Sequence, residues 1–379
     1  MKLTTLNAMS ERIELLKKTV EPFKVRAQAH DENGTLPHEN FEDLKAVDYP
    51  ALTVPKQFGG MEISLTEMLQ HQEVIAQADG STALSIGWHM GIVKHLGENE
   101  RWPEGRYATV ARDVVKHGAL LNNAASEPAT GSPTRGGKPE TFATKTTGGW
   151  IVNGRKTFTT LSPILDYFIV SASIDSEDQV GNFLIKRDKQ GVRVDETWDS
   201  IAMRGSGSHD LVLENVHVDA DDLVERIKPG RKKPAGWLLH IPACYLGIAR
   251  AAQAYAVQFA TTYSPNSITG TIADLPNIKQ KLGEMELAVL ESEHFLYSVA
   301  RKWDENGDTI RQTMGPELGA VKLSVVNKAI HIVDLAMRVV GARSLSKQNP
   351  LQHYYRDVRA GLHNPPMDDD MTIMQLSGR

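Results

Sequence analysis

The sequence predicts an α+β fold in three parts: an N-terminal helical domain, a small central antiparallel β domain and a C-terminal antiparallel four-helix bundle. Three observations predict it. The hydrophobic pattern opens with three- and four-residue steps, changes near residue 120 to short strand-like runs, and turns helical again after residue 222. The strand-like runs follow one another with no helical stretch between them, which excludes a Rossmann alternation. The late helical runs are long and joined by short connections, as in an antiparallel bundle. Domains of residues 1–119, 120–222 and 223–379 follow from these changes.

Leu6, Met9, Ile13, Leu16, Val20 and Phe23 form the seam of a first amphipathic helix. Ser64 with Glu67 is a capping-box pattern, starting a helix that runs towards Asp79-Gly80. Another helix covers Thr82 to Leu96. In the β part, Asn153-Gly154 between Trp150-Ile151-Val152 and Lys156-Thr157-Phe158-Thr159 reads as a type I′ hairpin turn, because both turn positions need positive φ. Strands are expected at Tyr167–Ala172, Phe183–Ile185, Val192–Val194 and Leu211–Val218. Ile241 to Ala260 is almost continuously apolar, but Arg250 at its middle makes it a buried bundle helix rather than a membrane span. Ile278 to Trp303 and Leu318 to Val339 complete the bundle, with Gly341 placed to end the last helix.

Composition narrows function by exclusion. Of 379 residues, 41% are hydrophobic and 23% charged, a globular balance. Forty-seven acidic against 42 basic residues leave a net charge of −5, which does not suggest a nucleic-acid partner. The single cysteine, Cys244, rules out an intramolecular disulfide. Thirteen histidines show no metal-ligand spacing, so no metal is expected. The first residues carry no apolar signal-peptide core, and a cytoplasmic protein without a membrane anchor is the expectation. Gly205-Ser206-Gly207-Ser208-His209-Asp210 lacks the third glycine of a dinucleotide loop and runs into a strand, so it reads as a turn.

The informative stretch is Asn122-Asn123-Ala124-Ala125-Ser126-Glu127-Pro128-Ala129-Thr130-Gly131-Ser132, followed by Gly149-Trp150-Ile151-Val152-Asn153-Gly154-Arg155-Lys156. It resembles the signature loop and hairpin of the acyl-CoA dehydrogenase superfamily. Met203 to Ser208 resembles that family's second motif, and Gly341 with Tyr355-Arg356-Asp357-Val358-Arg359 its C-terminal flavin-binding region. The resemblance implies a flavin, FAD with FMN as the alternative, held between the β domain and the bundle. It nominates Ala125 and Ser126 at the ring edge, Ser132 near the pyrophosphate or substrate, and Phe158 and Thr160 stacking on or bonding the ring. Hydroxyls and amides aimed at that edge stabilise the charge that arrives on reduction. A homotetramer or dimer is also implied. The family's Arg-x-x-Phe-Gly segment, which reaches a neighbouring subunit's flavin, is replaced here by Tyr263-Ser264-Pro265-Asn266-Ser267.

The first functional reading is α,β-dehydrogenation of an acyl-CoA thioester, with an electron-transfer flavoprotein as partner. That chemistry needs a carboxylate to take the α-proton. The usual glutamate is not found: Pro365 stands at the matching position, which offers neither carboxylate nor N–H, and Trp237 and Leu238 occupy the alternative one. Asp368, Asp369 and Asp370 follow on the same loop. The alternative is the dibenzothiophene-type monooxygenase branch, which uses reduced flavin from a reductase together with oxygen. His89 and His363, with Thr160, look similar to that branch's pocket residues, and the two histidines are the catalytic candidates.

Overall fold

The computed structural model describes residues 1–99, 102–103, 105–129, 137–175, 177, 179–227, 233–366 and 369–378. The N-terminal part contains α1 (Met9–Val20), α2 (Phe23–Asn33), α3 (His38–Ala46), α4 (Leu65–Ala78), α5 (Gly80–Asn99) and α6 (Arg106–His117). The seam expected as one helix is therefore two, broken at Glu21-Pro22, where proline can neither donate its N–H nor fit inside a helix. Helix α4 starts as expected: Ser64 Oγ accepts from Glu67 N–H at 3.1 Å. A distant residue completes that cap, since the Asp304 carboxylate accepts from the N–H groups of Leu65 and Thr66 at 2.8 Å each.

The β part holds β1 (Leu121–Ala124), β2 (Phe142–Thr146), β3 (Gly149–Thr159), β4 (Tyr167–Ile174), β5 (Gln179–Lys186), β6 (Val192–Asp195), β7 (His209–Asp219) and β8 (Leu223–Ile227). They make one sheet in the order β6-β7-β3-β2-β4-β5-β8, with β1 on β4. The sheet is mixed rather than purely antiparallel, because β4 takes both β1 and β2 as parallel neighbours. It also extends to Ile227, past the change of pattern at residue 222. Asn153-Gly154, expected at the hairpin turn, lies inside β3; the turn falls at residues 147–148 instead. The pair sits where the β3–β7 register shifts between Val152 and Gly154. Gly154 has φ +151°, and a Cβ there would come within 2.4 Å of Thr141 Oγ1. Close approach at a bulge, not a turn, is what this glycine permits.

The C-terminal part comprises α7 (His240–Thr262), α8 (Pro276–Glu305), a short α9 (Asp308–Arg311), α10 (Gly315–Val340), α11 (Pro350–Ala360) and α12 (Asp369–Leu376). Gly341 ends α10 with φ +71°, its N–H bonding Met337 O. Helix α7 is the hub, packed on α4, α5, α8, α10 and α11. Its Arg250 meets Glu73 of α4 and Glu293 of α8, which is how a cation is tolerated at the middle of an apolar helix. Among the described residues no helix is long and apolar enough to cross a membrane. Helix α5 sits hard against the chain entering α7: a Cβ on Gly91 would lie 2.3 Å from the Trp237 ring.

Candidate functional site

The loop after β1 is held to the sheet by a buried ion pair. The Glu127 carboxylate accepts from the N–H groups of Glu140 (2.6 Å) and Thr141 (3.0 Å) and from Lys156 Nζ at 2.5 Å. Both side chains are essentially inaccessible to solvent. Burial pushes the Lys156 ammonium pKa down, with Glu127 opposing it. Burial acts to raise the Glu127 carboxyl, but the hydrogen bonds outweigh it and hold the carboxyl below its ordinary range. Alternation along β3 points Lys156 inward, beneath the loop.

That clasp holds Ala125 and Ser126 against the strand that carries Phe158. Ser126 O accepts from Thr157 N–H at 2.9 Å, an isolated antiparallel bridge, so Ala125 and Ser126 lie beside the end of β3. Phe158 falls in the register shift between Lys156 and Thr159, with φ +53°. A left-handed backbone at an aromatic residue costs on the order of 1–3 kcal/mol, and such strain persists where the surrounding structure imposes it. Phe158 is 66% exposed, with Trp198 in an edge-to-face contact at 5.8 Å between centroids.

Thr160 is buried, and its hydroxyl joins a chain: Thr160 Oγ1 to Ser208 Oγ at 2.9 Å, then Ser208 Oγ to Ser206 Oγ at 2.8 Å. Asn122 Nδ2 donates to Thr160 O at 3.0 Å. The turn Arg204–Ser206 is sewn to the strand end, with Leu161 N–H on Ser206 O and Ser162 N–H on Gly207 O. Ser85 of α5 donates to Ser206 O at 3.4 Å. Ser206, Ser208 and Asn122 went unnominated from sequence. The Gly-Ser-Gly-Ser stretch was the available signal, but its pairing with Thr160 needs the β3–β7 register.

The two histidines part company. His89 is fully buried; Nδ1 accepts from Leu121 N–H at 3.2 Å, which leaves Nε2–H to donate to Pro50 O at 3.3 Å. Burial holds its pKa down to about 4, so the ring is neutral with both nitrogens engaged by backbone. His363 instead ends the turn Gly361–His363 after α11 and is exposed. That turn is anchored on both sides: Gly361 packs on Tyr245, and Tyr245 Oη donates to Asn364 Oδ1. Ser132 and Asp368 lie outside the described residues, as do the side chains of Asp369 and Asp370.

Every buried carboxylate among the described residues already has a partner. Glu67 pairs with Arg12, Glu73 with Arg250 and Tyr297, Asp222 with Arg106, and Glu127 with Lys156. Asp31 pairs with Arg356, Asp357 with His353, and Asp79 takes hydrogen bonds from Thr82. At the alternative base position, Trp237 lies parallel to the His240 ring and edge-on to Trp88. Among the described residues, the groups next to Phe158 include the hydroxyl-bearing Ser126, Thr157 and Thr160 and its own exposed aromatic face. Such a set fits the polar edge and flat face of a flavin ring.

Comparison with known proteins bears on the same elements. Family models of the acyl-CoA dehydrogenase N-terminal, middle and C-terminal domains match residues 10–100, 122–216 and 239–364. YdbM of Bacillus subtilis (strain 168), provisionally named an acyl-CoA dehydrogenase, is 52% identical over 94% of this chain and 93% of its own. L-evernosamine nitrososynthase of a Micromonospora species is 28% identical over 97% of this chain and 89% of its own. The FMN-bound structure of TdsC, a dibenzothiophene monooxygenase from Paenibacillus sp. A11-2, superimposes with a TM-score of 0.84 at 21% identity, covering 96% of each chain.

Proposed function

The chain belongs to the acyl-CoA dehydrogenase family of flavoproteins, and from that premise we propose that it is a flavin-dependent monooxygenase acting on a small molecule. The observation that carries the reading is that neither family position for the base holds a carboxylate. Dehydrogenation of a thioester needs a free carboxylate at the flavin. Pro365 and Trp237 stand at the two family positions, and each buried carboxylate among the described residues is committed to a partner. Oxygenation makes no such demand. The relatives that carry monooxygenase and nitrososynthase names support the same direction.

In this proposal Ala125, Ser126, Ser132, Phe158 and Thr160 hold the flavin, FAD or FMN. The flavin, reduced by a separate reductase, would supply the electrons that activate oxygen. Ser126 and Thr160 offer hydroxyls to the ring edge, and Thr160 is itself oriented by Ser208. His363, exposed on an anchored turn, is the residue assigned to proton transfer. His89 acts as a positioning residue, tying β1 to α5. Dehydrogenation of an acyl-CoA stays as the second reading because the 52% identical relative bears that name.

One experiment separates them. The flavin-loaded protein is mixed anaerobically with a panel of acyl-CoAs, and then supplied with reduced flavin, ¹⁸O₂ and candidate substrates. No bleaching of oxidised flavin in the first step, with ¹⁸O in the product of the second, is expected. Rapid bleaching by any acyl-CoA would overturn the proposal in favour of dehydrogenation.

A further inference from the structure

In the interior, charges from three parts of the fold meet in one buried cluster. His353 Nε2 of α11 lies 2.7 Å from Asp357 Oδ2 and 3.8 Å from Asp31 Oδ1 of α2. The three ligand-type atoms fall within 4.8 Å of one another, a spacing that would also suit a metal ion. Their other bonds argue otherwise. Arg356 grips both oxygens of Asp31, and Asp357 Oδ1 accepts from Met203 N–H at 2.6 Å. With those oxygens already engaged, the imidazolium of His353 takes the place a metal would fill.

Three of the cluster's hydrogen bonds lead to one segment. Arg356 Nη1 donates to Ile201 O at 2.7 Å, and Arg204 donates to Asp31 O and Ser200 O. Met203, held by Asp357, has φ +50° and opens the turn that delivers Ser206 and Ser208 to Thr160. We propose that His353 and Asp357 are positioning residues for the flavin-facing hydroxyl chain, acting through the backbone of Met203. The inference rests on the flavin lying at Thr160, as proposed above, and on nothing about which reaction the protein performs. Asp357 sets the strained entry of the turn, His353 neutralises and orients Asp357, and the turn in turn fixes the rotor of Ser208 against Thr160.

The groups facing His353 come from every element around it. They are Asp31 from α2, Asp79 at the start of α5, Arg356, Asp357 and the Tyr354 ring from α11, Arg204 from the turn, and the Cys244 thiol of α7 near the same carboxylates. Burial opposes the charged imidazole, but the carboxylates outweigh it and carry the His353 pKa up to about 9. The turn is therefore held by a charged partner throughout the neutral range.

The test measures flavin binding by the full-length protein. Kd values for FAD and FMN and the bound flavin spectrum are compared for wild type, Asp357→Ala, Asp357→Asn, Ser208→Ala and the Asp357→Ala/Ser208→Ala double variant. Asp357→Ala is expected to weaken flavin binding about tenfold or more, and Asp357→Asn, which keeps an acceptor for Met203, to restore most of it. The double variant should lose no more than the larger single loss, since both changes act through one hydroxyl. A folded Asp357→Ala with unchanged Kd and spectrum, or losses that add, would overturn the inference. Where Asp357→Ala fails to fold, His353→Gln decides: the wild-type flavin spectrum should change as pH rises through about 9, and this step should vanish in the variant. Persistence of the step would overturn the inference equally. Unchanged binding in both Ser208→Ala and Thr160→Ala would instead remove the flavin placement itself.

Discussion

His89 and His363 show how little a residue's type decides at this scale. One imidazole spends both nitrogens on backbone groups and is held neutral; the other stands exposed on a turn whose neighbours are fixed. The consequence is testable by substitution. His363→Ala should lower turnover by about 10²–10⁴ if its imidazole exchanges the proton, while leaving flavin affinity unchanged. Steady-state turnover beside a flavin titration measures both, and turnover within twofold of wild type would remove His363 from the mechanism. From sequence alone both histidines were candidates, with His363 the preferred one. Nothing within a few residues of either records that Pro50 and Leu121 close on one and not the other.

At the scale of elements, the loop after β1 and β3 are joined by Glu127 and Lys156, 29 positions apart and nearly invisible to solvent. Removing one partner leaves the other charge buried alone. Lys156→Met should therefore cost about 3–5 kcal/mol of unfolding free energy, and adding Glu127→Gln should recover part of it. Urea unfolding of the two variants reads this directly; equal stability of Lys156→Met and wild type would mean that the clasp contributes nothing. The element order and most strand and helix positions were legible in the sequence, because periodicity and turn residues act over a few neighbours. Asn153-Gly154 was not. A glycine that permits a hairpin turn equally permits a bulge, and the choice was made by Thr141 and β7 approaching from elsewhere.

Across the whole molecule, the buried His353 cluster ties the N-terminal helices, the loop before β7 and the C-terminal bundle. Its contribution to stability has a definite sign. The His353 pKa is raised from about 6.5 in the unfolded chain to about 9 in the fold. The stabilisation is therefore complete below about pH 6.5 and disappears as the pH rises through about 9, an effect of about 3 kcal/mol. The urea midpoint should fall between pH 7 and pH 10, and the fall should be shallower in His353→Gln. Parallel pH dependences in the two proteins would show that the imidazolium does not hold the parts together.

What the sequence by itself determined was the α, then β, then α order, the buried rather than membrane-spanning character of Ile241 to Ala260, and the polar loop that carries Ala125 and Ser126. These depend on spacing within one segment, and spacing survives without a partner. Only the tertiary structure decided that Ser206 and Ser208 complete Thr160, that His89 is sealed, and that Asp31, Met203, His353 and Asp357 form one buried network. Those residues lie scattered over more than 300 positions of chain. Hydrogen bonds and charge pairs act over a few ångströms in space, so their partners cannot be read until the packing of separate helices and strands has brought them within reach.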